Sequence, residues 1–478
     1  MSTRYKGSIL SSTAAASSST AAYGLWKQSE VAQIITSAWP NNDPYWTSVS
    51  MLLHGDGTNG AQNNTFIDSS SNAFTVTRNG TATQGAYSPF TATAPYSVSV
   101  SGGSGYFNGS SSLSVTNNAA LQFGTGDYTI EFWINQTSIT GTQVFIEVGR
   151  LTAGASAGVQ IDSVSGVITV YGGATVATVL ITSGTTQVIN TWYHIALTRA
   201  SSSTKLFING TQSGSTATDA TNYTQGYTWV SSNAAGATAF TTGFCSNVRV
   251  VKGTAVYTAN FTPPTAPLTA ISGTSLLLGF TNAGVIDNAM QNNLTTVSNA
   301  QIAGNVYKYG TGSIAFGAGT DSLTTIDKTS LQLGAGDFTI EGWFQFLSTG
   351  VAYNIISKGT ASTGWSVNMG TANKLQFSYT ATALVGATTL TSFTWYYFSI
   401  VRSGSGVGNL KIYINGTVDA TSAGAVTDNF NQTNILYVGA SRTGANSLSG
   451  YIDELRITKG VARYTADFTA PQQAFPSQ

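Results

Sequence analysis

Apolar and more polar residues alternate along most of this chain with a period of two. In the stretch 127–133, for example, Tyr128, Ile130 and Phe132 are separated by single residues of other types. This period places alternate side chains on one face of a β-strand. Helical periodicity is nearly absent from the repeated part of the chain, and the whole chain contains 52 glycines. The pattern therefore predicts an all-β chain of many short strands.

Two Asn-Gly pairs mark hairpins within this pattern. Asn209-Gly210 and Asn415-Gly416 each follow an apolar stretch, and Val418 leads out of the second one. Asn and Gly both tolerate a positive φ, which a two-residue type I′ turn requires at both of its central positions. We therefore predict a β-hairpin at each pair.

The chain contains one unit twice. Four blocks recur in the same order, at offsets between 203 positions (394 − 191) and 210 positions (331 − 121). The paired blocks are Leu121–Trp133 with Leu331–Trp343, Thr191–Arg199 with Thr394–Arg402, Phe207–Thr211 with Tyr413–Thr417, and Lys252–Phe261 with Lys459–Phe468. A repeat of roughly 200 residues is close to the size of one β-sandwich domain. We predict domain boundaries at 1–48, 49–269 and 270–478.

The first 48 residues differ in composition from the repeats. Residues 11–22 are almost entirely Ser, Ala and Thr, which is typical of a linker or an extended arm. Beyond them, apolar residues fit a short amphipathic helix that ends at Trp39-Pro40. We predict that this segment docks the chain onto other proteins through Leu25, Trp26, Val31, Ile34, Ile35 and Trp39. The alternative is that the helix folds back on the first sandwich.

Composition narrows the possible partners. Only 8% of the residues are charged, with 19 basic and 19 acidic side chains, so no basic stripe is available for nucleic acid. No apolar stretch reaches the length of about 18 residues that a transmembrane helix needs, so we expect no membrane insertion. Cys245 is the single cysteine, which excludes an intrachain disulfide and the CxxC patterns. We expect it to be a small core residue.

The repeated blocks resemble a known family. The order of Leu331–Trp343, Thr394–Arg402, Tyr413–Thr417 and Tyr451–Ile457 resembles the laminin G-like jelly roll of the concanavalin A-like lectin/glucanase superfamily. The resemblance covers nearly the whole chain. It implies two tandem antiparallel jelly-roll β-sandwiches after the N-terminal arm, each made of two curved sheets with six or seven strands. The stretch 251–264 is also similar to one in laminin G-like modules of bacteriophage tail and other virion proteins, particularly those of marine phages.

Paired carboxylates would indicate a glycosidase on this fold, commonly as Glu-x-Asp-x-(x)-Glu on one strand. This chain has no such pattern. Asp127 and Glu131 recur as Asp337 and Glu341, but Glu131 lies on the predicted strand, whereas Asp127 belongs to the turn before it. We expect these residues to be structural, with each Asp capping the Gly-rich turn beside it, and we expect no catalytic residue.

Metal ligands are equally sparse. His54 and His194 have no acidic partner at a spacing that would indicate a metal site or a catalytic triad, and neither His recurs in the other repeat. Asp56, Asp68 and Asp287 lie in Gly- and Asn-rich segments that could supply oxygen ligands to calcium, yet they are scattered rather than spaced as a loop motif. We therefore expect no cofactor, with structural calcium as the less favoured alternative.

Glycan binding on such a fold would use aromatic faces on loops at the end of a sandwich. Tyr223 and Tyr227 are the best candidates in the first repeat, and Trp229 is a weaker one because it aligns with Tyr437 and is expected to begin a core strand. The alternative is that these tyrosines cover a loop or pack against a neighbouring subunit.

These features favour a binding protein over an enzyme. Our first hypothesis is a virion structural protein (tail fibre, spike or head-surface protein) that is located in the virion and presents its sandwiches to host cell-surface polysaccharide. Its other partners would be virion proteins, bound through residues 1–48, and copies of itself, most simply as a trimer. The first alternative is a scaffold or capsid decoration subunit that contacts only virion proteins. The second, less favoured, is a polysaccharide-degrading enzyme.

Overall fold

The computed structural model describes residues 42–90, 95–150, 157–173, 178–234, 239–317, 319–360, 362–380 and 382–477. The six apolar side chains of the predicted docking segment and its helix lie outside these residues. The described residues form 31 strands, the short helix α1 (Val98–Ser101) and the 3₁₀ turns Trp46–Ser48, Ala119–Leu121 and Thr329–Leu331. The predicted all-β fold class is confirmed.

The strands are numbered in chain order. The first part of the chain contains β1 (Val49–Leu53), β2 (Thr77–Asn79), β3 (Thr83–Gly85), β4 (Ser104–Asn108), β5 (Ser112–Val115), β6 (Tyr128–Gln136), β7 (Thr142–Val148), β8 (Val159–Val164), β9 (Val167–Gly172), β10 (Thr178–Thr186), β11 (Tyr193–Ala200), β12 (Ser203–Ile208), β13 (Thr211–Gln212), β14 (Ala217–Thr218), β15 (Thr228–Val230) and β16 (Thr242–Lys252). The second part contains β17 (Thr274–Leu278), β18 (Thr295–Val297), β19 (Gln301–Ala303), β20 (Ser313–Gly317), β21 (Ser322–Thr325), β22 (Phe338–Phe346), β23 (Tyr353–Lys358), β24 (Trp365–Met369), β25 (Leu375–Tyr379), β26 (Thr382–Val385), β27 (Tyr396–Arg402), β28 (Leu410–Ile414), β29 (Thr417–Thr421), β30 (Leu436–Val438) and β31 (Ser449–Lys459).

These strands form four antiparallel sheets, paired into two sandwiches. Sandwich 1 stacks the sheet β13-β12-β11-β6-β16-β4-β3 on the sheet β10-β9-β8-β7-β15-β5-β2. Sandwich 2 stacks β19-β20-β31-β22-β27-β28-β29 on β18-β21-β30-β23-β24-β25-β26. Each sandwich has its own core, because alternate residues of facing sheets, such as Ile130 with Ile161 and Ile340 with Val367, point into one apolar layer.

Both predicted hairpins are confirmed. Asn209 and Gly210 have φ angles of 49° and 76° and join β12 to β13. Asn415 and Gly416 have φ angles of 50° and 87° and join β28 to β29. Positive φ at both central positions is the type I′ geometry that matches the twist of the flanking strands.

Two strands lie in the sandwich of the other repeat. Strand β1, from the first repeat, pairs with β31 of sandwich 2, and β17, from the second repeat, pairs with β16 of sandwich 1. We call this arrangement the strand exchange. Sandwich 1 is thus continuous from β2 to β17, whereas sandwich 2 consists of β18 to β31 completed by β1. The boundary predicted between residues 269 and 270 therefore differs from the strand pairing, because β17 completes sandwich 1 and the local sequence does not indicate which sandwich a strand completes.

The two exchanged strands occupy equivalent places, 225 positions apart (274 − 49). Leu53 faces Leu455, and Leu278 faces Val248, which lies 207 positions before Leu455 (455 − 248). Both ladders contain a register shift after the first pair, between Val49 and Met51 in one case and between the partners of Thr274 and Leu276 in the other. The two ladders therefore have the same register.

The chain segments that follow β1 and β17 cross each other between the sandwiches. The Asn63 amide donates to the carbonyl oxygens of Val285 and Leu294, both at 2.8 Å, and its own oxygen accepts from the Val285 amide. The Gly284 amide donates to the Gln62 carbonyl. These bonds satisfy backbone groups that the crossing buries. Within the described ranges, no helix is long and apolar enough to cross a membrane.

Candidate functional site

Glu131 is the centre of a buried polar cluster on the outer face of the β6 sheet. It alternates with the core residues Ile130 and Phe132, so its carboxylate points away from the core. Arg249 on β16 donates to it at 2.6 and 2.8 Å, and Tyr257 donates its hydroxyl at 2.9 Å. Although burial opposes ionisation, the His194 and Arg249 side chains hold the pKa of Glu131 below its usual value.

Glu341 has the equivalent position in sandwich 2. Arg456 donates to it at 2.9 Å, and the hydroxyls of Tyr464 and Tyr397 also donate to it. Tyr397 takes the place of His194. In both sandwiches the segment after the long strand crosses the outer face of the sheet, and its tyrosine stacks on a phenylalanine four residues later, with a centroid distance of 3.6 Å for Tyr464 and Phe468.

The recurring acidic residues are therefore structural, as the sequence indicated. Glu131 and Glu341 are fully buried and saturated by donors, which leaves no room for a substrate beside them. The Asp127 carboxylate accepts from the Ser201 amide and the Asp337 carboxylate from the Gly404 amide, at 2.8 and 2.7 Å. They cap the turn of a neighbouring hairpin rather than the adjacent Gly-rich turn, a long-range bond that the local sequence could not reveal.

The calcium candidates serve as caps for backbone amides. Asp68 accepts from the amides of Ser70 and Leu277, and Asp287 accepts from the amide of Leu52. Asp68 and Asp287 thus each hold the exchanged strand of the sandwich in which they lie, whereas Asp56, the third candidate, accepts from the amide and hydroxyl of Thr311. In the part of the chain that the structure describes, no group of three or more His, Cys, Asp or Glu residues is placed to hold a metal ion.

Both histidines contact a carboxylate, which the sequence analysis missed. The Nδ1 atom of His54 lies 2.9 Å from Glu454, and the Nε2 atom of His194 lies 3.3 Å from Glu131. The partners are 400 and 63 positions away, so no spacing could have indicated them. Cys245 is buried in the core of sandwich 1, as expected.

The two tyrosines predicted to bind glycans have different surroundings. Tyr223 is only 1% exposed, and its hydroxyl donates to the buried Asp219 at 2.8 Å. Its ring packs in the core of sandwich 1 and presents no face to solvent, so it cannot stack on a sugar in this structure. The period-two pattern does not extend to this loop, which explains why its burial was not predicted. Tyr227 is partly exposed and remains a candidate.

A solvent-open cleft lies where the two sandwiches meet. It encloses about 540 Å³ and is lined by Tyr87, Asn190, Met290, Gln291, Asp327, Lys328, Thr329 and Ser330. The first two belong to sandwich 1 and the others to sandwich 2. Tyr87 packs beside Trp192, with ring centroids 5.5 Å apart. The cleft thus combines an aromatic wall with amides, hydroxyls and one charge of each sign.

Lys328 and Asp327 set the electrostatics of this cleft. The Lys328 ammonium lies 3.5 Å from the centroid of the Tyr87 ring and donates to the Gln291 carbonyl. Burial lowers the pKa of Lys328 to about 8. Asp327 accepts from Lys358 at 2.6 Å. Sequence reasoning did not find these residues, because Tyr87 and Lys328 belong to different repeats and neither forms a motif.

Comparison with known proteins gives one family. Residues 102–256 and 317–463 match a laminin G-like family profile described as the concanavalin A-like lectin/glucanases superfamily. No curated protein sequence matches the chain. Among solved structures, the LG4-5 domains of the mouse laminin alpha1 chain are 14% identical, with a TM-score of 0.29 over 80% of this chain and 98% of that one.

Two further solved structures are similar in fold. The LG1-3 region of the laminin alpha2 chain is 10% identical, with a TM-score of 0.35 over 74% of this chain and 62% of that one. The ligand binding domain of botulinum neurotoxin serotype D, solved with N-acetylneuraminic acid, is 15% identical, with a TM-score of 0.31 over 38% of this chain and 46% of that one.

Proposed function

Because this chain belongs to the concanavalin A-like lectin/glucanase superfamily, we propose that it binds glycans, and that the cleft between its two sandwiches holds them. The observation that carries the proposal is the lining of that cleft. Sugars present apolar C–H faces and many hydroxyls, which aromatic rings and paired donors and acceptors bind together. Tyr87 offers an aromatic edge, and Asn190, Gln291 and Thr329 offer hydrogen-bonding groups.

Binding, rather than hydrolysis, is the chemistry we propose for this cleft. A glycosidase needs two carboxyl groups facing each other across the scissile bond. Asp327 is the one carboxylate among the residues that line the cleft, and it is bonded to Lys358. Release of reducing sugar from host polysaccharide by the purified chain would support the enzymatic alternative instead.

The first prediction concerns Asn190, which has a φ of 58° and reaches the cleft from the turn before β11. We expect Asn190→Gly to weaken glycan binding several-fold, because it removes one amide and its hydrogen bonds while keeping the backbone conformation accessible. The measurement is isothermal titration against the polysaccharide that binds best in a glycan screen.

A matched control lies in the other sandwich. Phe393 occupies the equivalent turn of the second repeat, with a φ of 57° and 69% exposure, and does not line the cleft. Phe393→Gly should leave binding unchanged. If Phe393→Gly abolishes binding and Asn190→Gly does not, the glycan site lies at the turn of sandwich 2 and the cleft is not the site.

We further propose that the chain is a virion surface protein whose arm, residues 1–48, attaches it to the particle. This proposal rests on the sequence of residues 251–264, which we interpret as resembling laminin G-like modules of phage virion proteins. The position of residue 42 also bears on how the chain would be presented, because this residue leads into β1, which lies in sandwich 2. Sandwich 1 would then be the outer domain on a particle.

Particle labelling tests this assignment. Antibodies against sandwich 1 should decorate intact particles in electron micrographs, and deletion of residues 1–40 should abolish incorporation while leaving both sandwiches folded. A scaffold or decoration subunit would incorporate but bind no host polysaccharide. Normal incorporation of the truncated chain would contradict the role of the arm.

A further inference from the structure

The strand exchange raises a question of specificity. Strands β1 and β17 have the same register against their partners, so the backbone hydrogen bonds of each would form equally well in the other sandwich. Two arrangements are therefore available to the chain: the observed exchange, and one in which each repeat uses its own first strand. Something other than the backbone must separate them, because specificity is a difference in free energy between alternatives.

Charged residues at the N-terminal side of β1 match sandwich 2 alone. The Asp43 carboxylate accepts from Arg456 at 2.9 Å and from Arg463 at 2.7 Å, and all three side chains are buried. In sandwich 1, Arg249 instead donates to the carbonyl of Thr269, and the position equivalent to Arg463 (463 − 207) is Val256.

The other end of β1 repeats this asymmetry. His54 follows the strand and contacts Glu454 at 2.9 Å, with both side chains buried. The residue that follows β17 is Gly279, and the equivalent of Glu454 is Asn247, whose side chain accepts from the Leu268 amide at 2.7 Å. The Asn247 amide is uncharged and Gly279 has no side chain, so these two residues cannot form the ion pair that His54 makes with Glu454.

The apolar contacts of the two strands, by contrast, are interchangeable. Met51 and Leu53 enter the core of sandwich 2, and Leu276 and Leu278 enter the core of sandwich 1 at the equivalent positions. Leucine and methionine have similar volumes and are among the pairs that protein cores exchange most easily. The apolar side chains therefore discriminate poorly between the two arrangements.

We propose that the β31 edge of sandwich 2 is a strand-acceptor site selective for the segment 42–54 of the same chain, and that the ion pairs of Asp43 and His54 direct β1 to it. In the unexchanged arrangement, Asp43 would lose Arg463 and meet Val256. Glu454 would face Gly279, and it would keep the hydrogen bond from the Phe475 amide but lose its positively charged partner, His54. Breaking a buried pair is strongly unfavourable, because the remaining charge has neither water nor a counter-ion.

Cysteine pairs in the full chain report the arrangement directly. Residues directly opposite each other on antiparallel strands are close enough for a disulfide. In a Cys245→Ala background, Val49→Cys with Thr458→Cys and Thr274→Cys with Val251→Cys should form disulfides under mild oxidation, since each pair is adjacent in the structure. The crossed pairs, Val49→Cys with Val251→Cys and Thr274→Cys with Thr458→Cys, should form none.

The decisive step removes the charge asymmetry. Asp43→Leu, His54→Gly, Glu454→Asn and Arg463→Val make sandwich 2 and its exchanged strand resemble sandwich 1 and its exchanged strand, β17. The crossed disulfides should then rise from undetectable to about half of the chains, because arrangements of equal free energy are equally populated. Arg463→Val alone retains the contact of Asp43 with Arg456 and should produce the crossed disulfides to a smaller extent, should the fourfold variant not fold.

Three outcomes would overturn the proposal. Crossed disulfides in the chain that keeps all four charged residues would show that the ion pairs do not select. Their continued absence from folded fourfold and single variants would assign the selection to the crossing segments instead. Disulfide-linked dimers in place of monomers would show that a second copy supplies the strand.

Discussion

At the scale of single residues, the buried cluster around Glu341 is expected to contribute strongly to the stability of sandwich 2. Glu341→Ala should lower the free energy of unfolding by about 3–5 kcal/mol, because it leaves Arg456 buried with one of its counter-charges removed. Tyr464→Phe should lower it by about 1.5–3 kcal/mol, the range for one hydrogen bond to a charged group. Urea unfolding of the full chain measures both.

Asp337→Ala is the matched control for this cluster. Its carboxylate is partly exposed and accepts from one backbone amide, at Gly404. Asp337→Ala should therefore lower the free energy of unfolding by less than Glu341→Ala does, by about 1 kcal/mol. Equal losses for Glu341→Ala and Asp337→Ala would contradict the structural importance that we assign to the cluster.

Asp162 in β8 gives a prediction about pH. Its side chain is buried, one carboxylate oxygen has no hydrogen-bond partner, and burial raises its pKa to about 7. The folded protein therefore holds this proton more tightly than the unfolded chain, and stability is lost as pH rises from about 4 to about 7. The side chain of Asn does not ionise, so Asp162→Asn should not lose stability in this pH range.

The variant should match the unmodified chain at pH 4 and exceed it at pH 8. A pKa that differs by one between the folded and unfolded states corresponds to about 1.4 kcal/mol of stability, so we expect Asp162→Asn to gain about 1–4 kcal/mol at pH 8. Unfolding curves at the two pH values measure the difference. If the difference in unfolding free energy between Asp162→Asn and the unmodified chain is the same at both pH values, ionisation of Asp162 is not its cause.

At the scale of elements, the sequence was most informative where contacts are local. The alternation around Ile130 predicted β6, and Asn209-Gly210 predicted its hairpin, because both depend on neighbouring residues. The repeat located the equivalent elements of sandwich 2. The contact of His54 with Glu454, the burial of Tyr223 and the cleft at Tyr87 depend on residues brought together only by folding, so no pattern along the chain could indicate them.

The exchanged strand β17 provides a test at this scale. A fragment of residues 66–280 contains every strand of sandwich 1, whereas 66–269 lacks β17. The longer fragment should unfold cooperatively, and the shorter should be less stable, because burying each of Leu276 and Leu278 contributes about 1.5–3 kcal/mol. Thermal unfolding followed by circular dichroism compares them. Equal stability of the two would contradict the assignment of β17 to sandwich 1.

At the scale of the whole molecule, the order of units in space differs from their order along the chain. Sandwich 1 comes first after residue 53, yet the segment that precedes β1 is anchored by Asp43 to sandwich 2. The crossing segments at Asn63 and Val285 hold the two sandwiches together through backbone-directed bonds. This arrangement forms the cleft from both repeats, so the proposed glycan site requires the intact pair.

The strand exchange also determines how the two repeats are joined to each other. The second repeat gives its first strand to the sandwich before it, so a row of such repeats would leave the last sandwich incomplete and the first strand without a place. Here β1 fills that vacancy and joins residue 49 to residue 458, which closes the two repeats into a ring. A ring closes only when its first and last units are neighbours. The two repeats meet this condition, because each supplies the strand that completes the sandwich of the other.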